Sequence, residues 1–264
     1  MKEKTGFGLI GYPLGHSFSA AYFRHKFQQE GLEGYFYHNI ETSDLPAEMK
    51  RLRTDGRYRG FNVTIPYKER VIPFLDALSA QAAAIGAVNT IRVEEDGRLT
   101  GHNTDCIGFF HSLQPLVSTM PGTFQTLVLG NGGASQAVQY ALYSHGLPYC
   151  LVHRKALSAA WEKAFKPLAE FSYETLPENV VAESLLVVNT TSLGMFPHTE
   201  SHPLIPYQAM GQFHKAFDLV YNPEQTRFMQ LCRGQGAEVR NGLEMLRLQA
   251  EAAWKIWQGE ATGL

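Results

Sequence analysis

The chain has 264 residues, 44% of them hydrophobic and 18% charged, with a formal net charge of −2. That length allows about two domains with a substantial core, and the composition excludes a disordered or collagen-like chain. The near-neutral balance, without a basic stripe, argues against a nucleic-acid partner, and no apolar run is long enough for a membrane span or a secretory signal core.

In chain order, strands are expected near Gly6 to Ile10, Tyr35 to Ile40, Gly60 to Thr64 and Val88 to Val93, with helical stretches between them. Asp96-Gly97 reads as a tight hairpin turn leading into Arg98 to His102, because glycine supplies the positive φ that such turns need. Past a boundary near Asp105, a second α/β series starts after Pro121-Gly122. Its strands are expected at Thr126 to Leu129, Tyr149 to Val152, Leu185 to Asn189 and Ala216 to Val220. Leu243 to Trp257 carries apolar residues at helical spacing without a breaker. Strands alternating with helices predict α/β architecture with largely parallel sheets.

Cys106, Cys150 and Cys232 are odd in number and far apart, which suits neither a disulfide framework nor a zinc site and points to a reducing, cytoplasmic setting. His198 and His202 are four apart, but Pro197 and Pro203 flank them, so a loop is expected rather than a metal-binding helix face; no metal is expected.

LVLGNGGASQAVQYAL reads as strand, glycine turn and helix. Gly130, Gly132 and Gly133 leave room for a pyrophosphate against backbone N–H groups at a helix start, although the third small position is Ser135. A bare βα turn is the alternative. The next strand ends in His153-Arg154-Lys155, where an NAD enzyme would place an acidic residue for the ribose 2′-hydroxyl. Positive charge there favours a 2′-phosphate and hence NADP, with Arg154 able to fork onto it.

In the first half, polar residues gather at strand ends: Ser17 and Ser19, Asn62 and Thr64, Asn89, and Asp105. Ligands of α/β sheets bind outside the carboxyl ends of strands. Taken singly, each of these residues is an ordinary turn or cap residue, and Asp105 could simply cap a helix. Lys68 follows Pro66 by two residues on an expected helix start.

The segments GYPLGHSFS, NVTIPYK, GAVNT, NTD, GNGGAS, NTTSLGM, DLVYNP and GLEMLRLQA, in this order over nearly the whole chain, resemble the shikimate dehydrogenase family. The resemblance implies a substrate domain (1–105 and 242–264), a Rossmann-like NADP domain (106–241) and a last helix returning to the first domain. It implies reversible NADPH-dependent reduction of 3-dehydroshikimate to shikimate in chorismate and aromatic amino acid biosynthesis, by a monomer or homodimer. Lys68 and Asp105 would be the catalytic pair. Ser17 and Ser19 would hold the substrate carboxylate, with Asn62, Thr64, Asn89, Tyr221 and Gln249 around the ring. Gly130, Asn131, Gly132, Gly133, Ala134, Ser135, His153, Arg154, Lys155, Thr190, Leu219 and Gly242 would bind the cofactor.

Two departures stand out. Phe18 and Ala20 replace a common Lys and Pro, and His153-Arg154-Lys155 replaces Asn-Arg-Thr. Quinate dehydrogenases and NAD-using paralogues share most of these motifs, and a nucleotide sensor without turnover is a reading of another class, which retention of both Lys68 and Asp105 disfavours.

Overall fold

In the computed structural model, which describes residues 5–15, 18–154 and 165–262, the chain divides into two compact units. The described residues up to Thr104 and from Ala250 onward form the first, and those from Asp105 to Gln249 the second.

The first unit is built on β1 (Thr5–Gly11), β2 (Tyr35–Glu41), β3 (Tyr58–Val63), β4 (Ala77–Leu78), β5 (Thr90–Val93) and β6 (Leu99–His102), in the order β2-β1-β3-β5-β6-β4. β1 pairs in parallel with β2 and β3, whereas β5 is antiparallel to both β3 and β6. The β5–β6 hairpin turns at Asp96-Gly97 as expected, with Gly97 at φ 82°.

Apolar side chains from both faces of this sheet find cover. On one side α2 (Leu45–Thr54) inserts Leu45, Met49 and Leu52 against Ile10, Phe61 and Ile91, and α3 (Ala80–Ile85) adds Ala82. The side chain of Asp44 caps α2 by accepting the Ala47 N–H, and Ser79 caps α3 in the same way. On the other side α1 (Phe18–Gln29) brings Phe23 and Phe27 into an aromatic cluster with Phe7 and Tyr37. Trp257, from the end of the last helix, stacks on Phe7 at 4.7 Å and donates its indole N–H to the Ile91 carbonyl at 3.0 Å.

The second unit carries β7 (Thr126–Leu129), β8 (Tyr149–Val152), β9 (Glu170–Phe171), β10 (Leu186–Asn189), β11 (Lys215–Asp218) and β12 (Glu238–Asn241), all parallel, in the order β12-β11-β10-β7-β8-β9. Numbered within the unit this is 3-2-1-4-5-6, the order of a dinucleotide-binding sheet. β7, β8 and β10 are buried at every position, as strands covered on both faces must be. Among the described residues its helices are α4 (Asp105–Val117), α5 (Gly133–Ser144), α6 (Glu178–Glu183), α7 (Arg227–Gly234) and the first half of α8 (Leu243–Trp257). Phe109 of α4 meets Phe217 of β11 edge to face at 5.4 Å.

Several elements differ from the sequence expectation. Lys68 lies in a run of turns that ends in a short 3₁₀ segment, not at the start of an α-helix. β11 stops at Asp218 rather than Val220, because the Asp218 carboxylate takes the Val220 N–H and turns the chain out of the sheet. β4, β9 and β12 were not anticipated; two are only two residues long, and β12 has a single apolar residue, Val239. His198 and His202 lie in irregular chain, as their flanking prolines indicate. Among the described residues no helix is long and apolar enough to cross a membrane.

Gly108 shows how closely α4 and α8 approach. A Cβ there would lie 2.6 Å from the Met245 carbonyl oxygen and 2.9 Å from the Gln249 nitrogen, both backbone atoms that cannot swing aside. Replacing helical Gly by Ala ordinarily gains about 1 kcal/mol, while overpacking costs roughly 1–3 kcal/mol. Gly108→Ala is therefore expected to lower the thermal midpoint by several degrees, and a midpoint at or above that of the parent would contradict this packing.

Candidate active site

In the first unit Tyr37 of β2, Asn62 of β3, Asn89 and Thr90 at the start of β5, and Thr104 after β6 form one buried hydrogen-bonded chain. Tyr37 donates its hydroxyl to Asn62 Oδ1 at 2.8 Å, and Asn62 Nδ2 reaches the Asn89 carbonyl and Thr90 Oγ1, both at 3.3 Å. The Asn89 carbonyl can only accept, which fixes the orientation of the Asn62 amide and directs its oxygen to Tyr37. Thr90 in turn donates to Asn89 Oδ1 at 3.1 Å. Asn89 Oδ1 also accepts the Thr104 N–H at 2.7 Å, while Asn89 Nδ2 donates to Thr104 Oγ1 at 3.0 Å. The chain is thereby gripped at the residue before Asp105. Ser19, near the start of α1 and buried, has its hydroxyl within reach of Tyr37, whose own hydroxyl pKa is raised by burial.

Thr64 follows β3, half-buried, with its N–H on the Ile10 carbonyl at 2.9 Å. The carbonyl of Lys68 accepts the Val88 N–H at 2.7 Å, so the backbone beneath this half-buried lysine is held to the segment leading into β5. Ser17 and Lys155 lie outside the described residues.

In the second unit the glycine turn falls between the end of β7 and the start of α5. Gly130 has φ 107°, and a Cβ there would sit 2.7 Å from Thr190 Oγ1. Gly132 occupies the N-cap of α5 without a side-chain cap, and nothing lies within 4 Å of where its Cβ would be. Helix-start N–H groups beside that open space suit a phosphate. Asn131, Gly133 and Ala134 are partly exposed on the same turn, whereas Ser135 is fully buried and closes the turn by donating to the Gly130 carbonyl at 2.6 Å.

Of the basic trio after β8, the two described residues differ in exposure. Arg154 is exposed, but His153 is buried, with Nε2 3.2 Å from Glu170 Oε2 and no partner for Nδ1 among the described residues. The His153 N–H bonds the Phe171 carbonyl at 3.0 Å, so strand pairing persists one residue past β8 and keeps His153 within the covered sheet, beside Glu170 of β9.

Thr190 and Leu219 leave the neighbouring strands β10 and β11, and both are half-buried. Thr190 Oγ1 donates to the Leu129 carbonyl at 2.6 Å, and the Leu219 N–H bonds the Asn189 carbonyl at 2.9 Å. Gly242 is buried against Leu219; a Cβ there would lie 2.2 Å from the Leu219 carbonyl oxygen. Tyr221 is half-buried and its hydroxyl pKa is raised by burial. Asp105, the first residue of α4, is 6% exposed, and Gln249 is 7% exposed on α8.

Sequence reasoning passed over Tyr37 and Asp218. Asp218 is fully buried at the end of β11 and accepts the Val220 N–H and Asn189 Nδ2, both at 3.0 Å, and the Thr226 hydroxyl. Burial pushes its carboxyl up to about 7, outweighing the donors that pull it down.

Strand order, the glycine turn at the switch between β7 and β10, and the basic residue after β8 define a two-unit α/β protein with a Rossmann-like dinucleotide-binding half. Residues 9–91 match the model of the shikimate dehydrogenase substrate binding domain. The shikimate dehydrogenase (NADP(+)) of Carboxydothermus hydrogenoformans is 39% identical over 261 residues, covering 96% of this chain and 91% of that protein. Among solved structures, the shikimate dehydrogenase of Aquifex aeolicus superposes with a TM-score of 0.85 at 33% identity, covering 100% of this chain and 96% of that one. The Thermus thermophilus shikimate 5-dehydrogenase, solved with NADP(H) and shikimate, gives 0.82 at 35% identity, covering 98% and 95%. The chain belongs to the shikimate dehydrogenase family.

Tyr37→Phe isolates one link of the buried chain. The ring stays stacked on Phe23, 4.9 Å away and 11° from parallel, while Asn62 Oδ1 loses its donor. Leaving a buried acceptor unsatisfied costs roughly 1–3 kcal/mol. Denaturant unfolding of the variant should show a loss of that size, and an unchanged midpoint would mean that Asn62 finds another donor.

Proposed function

We propose that this chain catalyses the reversible NADPH-dependent reduction of 3-dehydroshikimate to shikimate, a step of chorismate and aromatic amino acid biosynthesis, in the cytoplasm. The observation that carries this reading is the open, uncapped glycine turn at the switch point of a 3-2-1-4-5-6 sheet, in a chain whose relatives carry that activity in their names. NADP fits the residues present. Gly130 to Ala134 would receive its pyrophosphate, Arg154 and Lys155 its 2′-phosphate, and Thr190, Leu219 and Gly242 would line its remaining length. His153 and Ser135, both buried, would shape this site from behind.

When bound, the reduced nicotinamide supplies the hydride that forms the new C–H bond at the carbonyl carbon. The protein must then manage the charge left on oxygen. The Lys68 ammonium stabilises that charge and delivers the proton that completes the hydroxyl, recovering its own from solvent. Asp105 accepts a hydrogen bond from the same hydroxyl and, in the oxidative direction, holds it for deprotonation by neutral Lys68. Ser17 and Ser19 offer neutral hydroxyl donors to the substrate carboxylate, and Thr64, Asn89, Tyr221 and Gln249 surround the ring, with Asn62 supporting them from within the buried chain.

Purified protein given shikimate and NADP⁺ should generate NADPH absorbance, and cofactor binding without turnover would favour the sensor reading instead. Crossing shikimate and quinate with NADP⁺ and NAD⁺ ranks the family alternatives. In Lys68→Ala, kcat should fall by roughly 10²–10⁴ with little change in substrate binding. Near-parental kcat would remove Lys68 from the chemistry.

Arg154→Ala tests the phosphate clamp separately. A charge-assisted hydrogen bond contributes about 1.5–3 kcal/mol, so NADP⁺ should bind roughly ten- to a hundredfold more weakly while NAD⁺ changes little. Equal losses for the two cofactors would mark Arg154 as structural.

A further inference from the structure

We propose that Asp218 is a positioning residue whose ionised carboxylate holds the loops bearing Thr190, Leu219 and Tyr221 in their binding arrangement, so that cofactor affinity is lost on acidification. This rests on the reading above that those residues meet the ligand.

The geometry is specific. One carboxylate oxygen takes two donors from different segments: the Val220 N–H, between Leu219 and Tyr221, and Nδ2 of Asn189, the last residue of β10, beside Thr190. Asn189 passes the constraint on, because its Oδ1 accepts both the Thr191 N–H at 3.1 Å and the Thr191 hydroxyl at 2.7 Å, and the Leu193 N–H then bonds Thr191 Oγ1 at 3.2 Å. The other carboxylate oxygen takes the hydroxyl of Thr226, whose own oxygen caps α7 by accepting the Met229 N–H at 3.3 Å. The loop from Leu219 to Thr226 is thus tied at both ends to one acceptor group.

Three donors converge on Asp218, and only an ionised carboxylate accepts them all without competition. A proton on the second oxygen would face the Thr226 hydroxyl, and that hydroxyl would have to give up donating. Among the described residues the titratable groups that act on Asp218 are Tyr207 and Cys232, and burial raises the pKa of both, which keeps them neutral around pH 7. Arg227 acts on Tyr207, and no cation among the described residues contributes to the charge balance of Asp218 itself.

The carboxyl therefore changes state near neutrality, at about 7. A folded-state value raised above the ordinary 3.8 means that stability favours the protonated form at low pH and is lost as pH rises through about 7. The form that ties the loops is the one burial disfavours, and its population drops about tenfold per pH unit below that point, weakening apparent affinity in proportion.

NADP⁺ is titrated calorimetrically into the full-length protein and into Asp218→Asn between about pH 6 and about pH 8.5; comparing the two cancels the titration of the 2′-phosphate itself, whose second pKa is about 6. The variant should bind roughly tenfold more weakly at the alkaline end, with the gap closing as pH falls below 7. Thr226→Val, which keeps the carboxylate but removes a donor, should shift the midpoint of the parental pH dependence upward, and it decides the matter alone if Asp218→Asn fails to fold. Curves that run parallel across the range would leave Asp218 merely structural and overturn this inference alone. No binding of NADP⁺ by the parent would overturn it together with the cofactor reading.

Discussion

Parallel pairing imposes one constraint from which the nucleotide half of this molecule follows: every strand of the sheet must leave it at the same edge. β7, β8, β10 and β11 accordingly deliver Gly130, Arg154, Thr190 and Leu219 to a common side. The strand order reverses beside β7, so the loops after β7 and β10 diverge and leave a crevice without any special device. What the sequence must still supply is local. It needs a residue that tolerates φ 107° at Gly130 and an α5 start without a side-chain cap to compete with an anion.

The two units solve the same problem of buried polarity with different groups. The first uses neutral amides and hydroxyls, Tyr37, Asn62, Thr90, Asn89 and Thr104, each of which can donate or accept as its neighbour requires. The second uses a carboxylate that can only accept, and so needs donors from several directions at once. A neutral chain of this kind is insensitive to pH, whereas a buried acid is not.

Elements dominated by short-range pattern were legible in the sequence. β7, β8 and α8 have the bounds that their apolar runs predict, and the glycine turn lies where its strand and helix context put it. Short or polar edge strands such as β12 were not, because pairing rather than composition makes them strands. Lys68 was expected on a helix since it follows a proline, yet the Val88 N–H holds its carbonyl and the segment remains a run of turns. Tyr37 was missed because its partner Asn62 lies 25 residues away, beyond any local motif; Asp218 stands in the DLVYNP segment, but its burial and its bond to Asn189, 29 residues away, come only from the packing of β11 against β10. His153 was grouped with Arg154 by charge, and only the continued pairing with Phe171 separates them.

The first unit is assembled from two stretches of chain that the second interrupts. Its aromatic core remains open on one side until Ala250, Ala253, Ile256 and Trp257 arrive against Phe7, Phe23 and Tyr37. On a ribosome those residues emerge only after all of 105–249 has been made, on the order of ten seconds later. The nucleotide half can close its sheet in that interval, while the earlier-made half waits with exposed aromatic surface. During synthesis the order of completion is thus the reverse of the order along the chain.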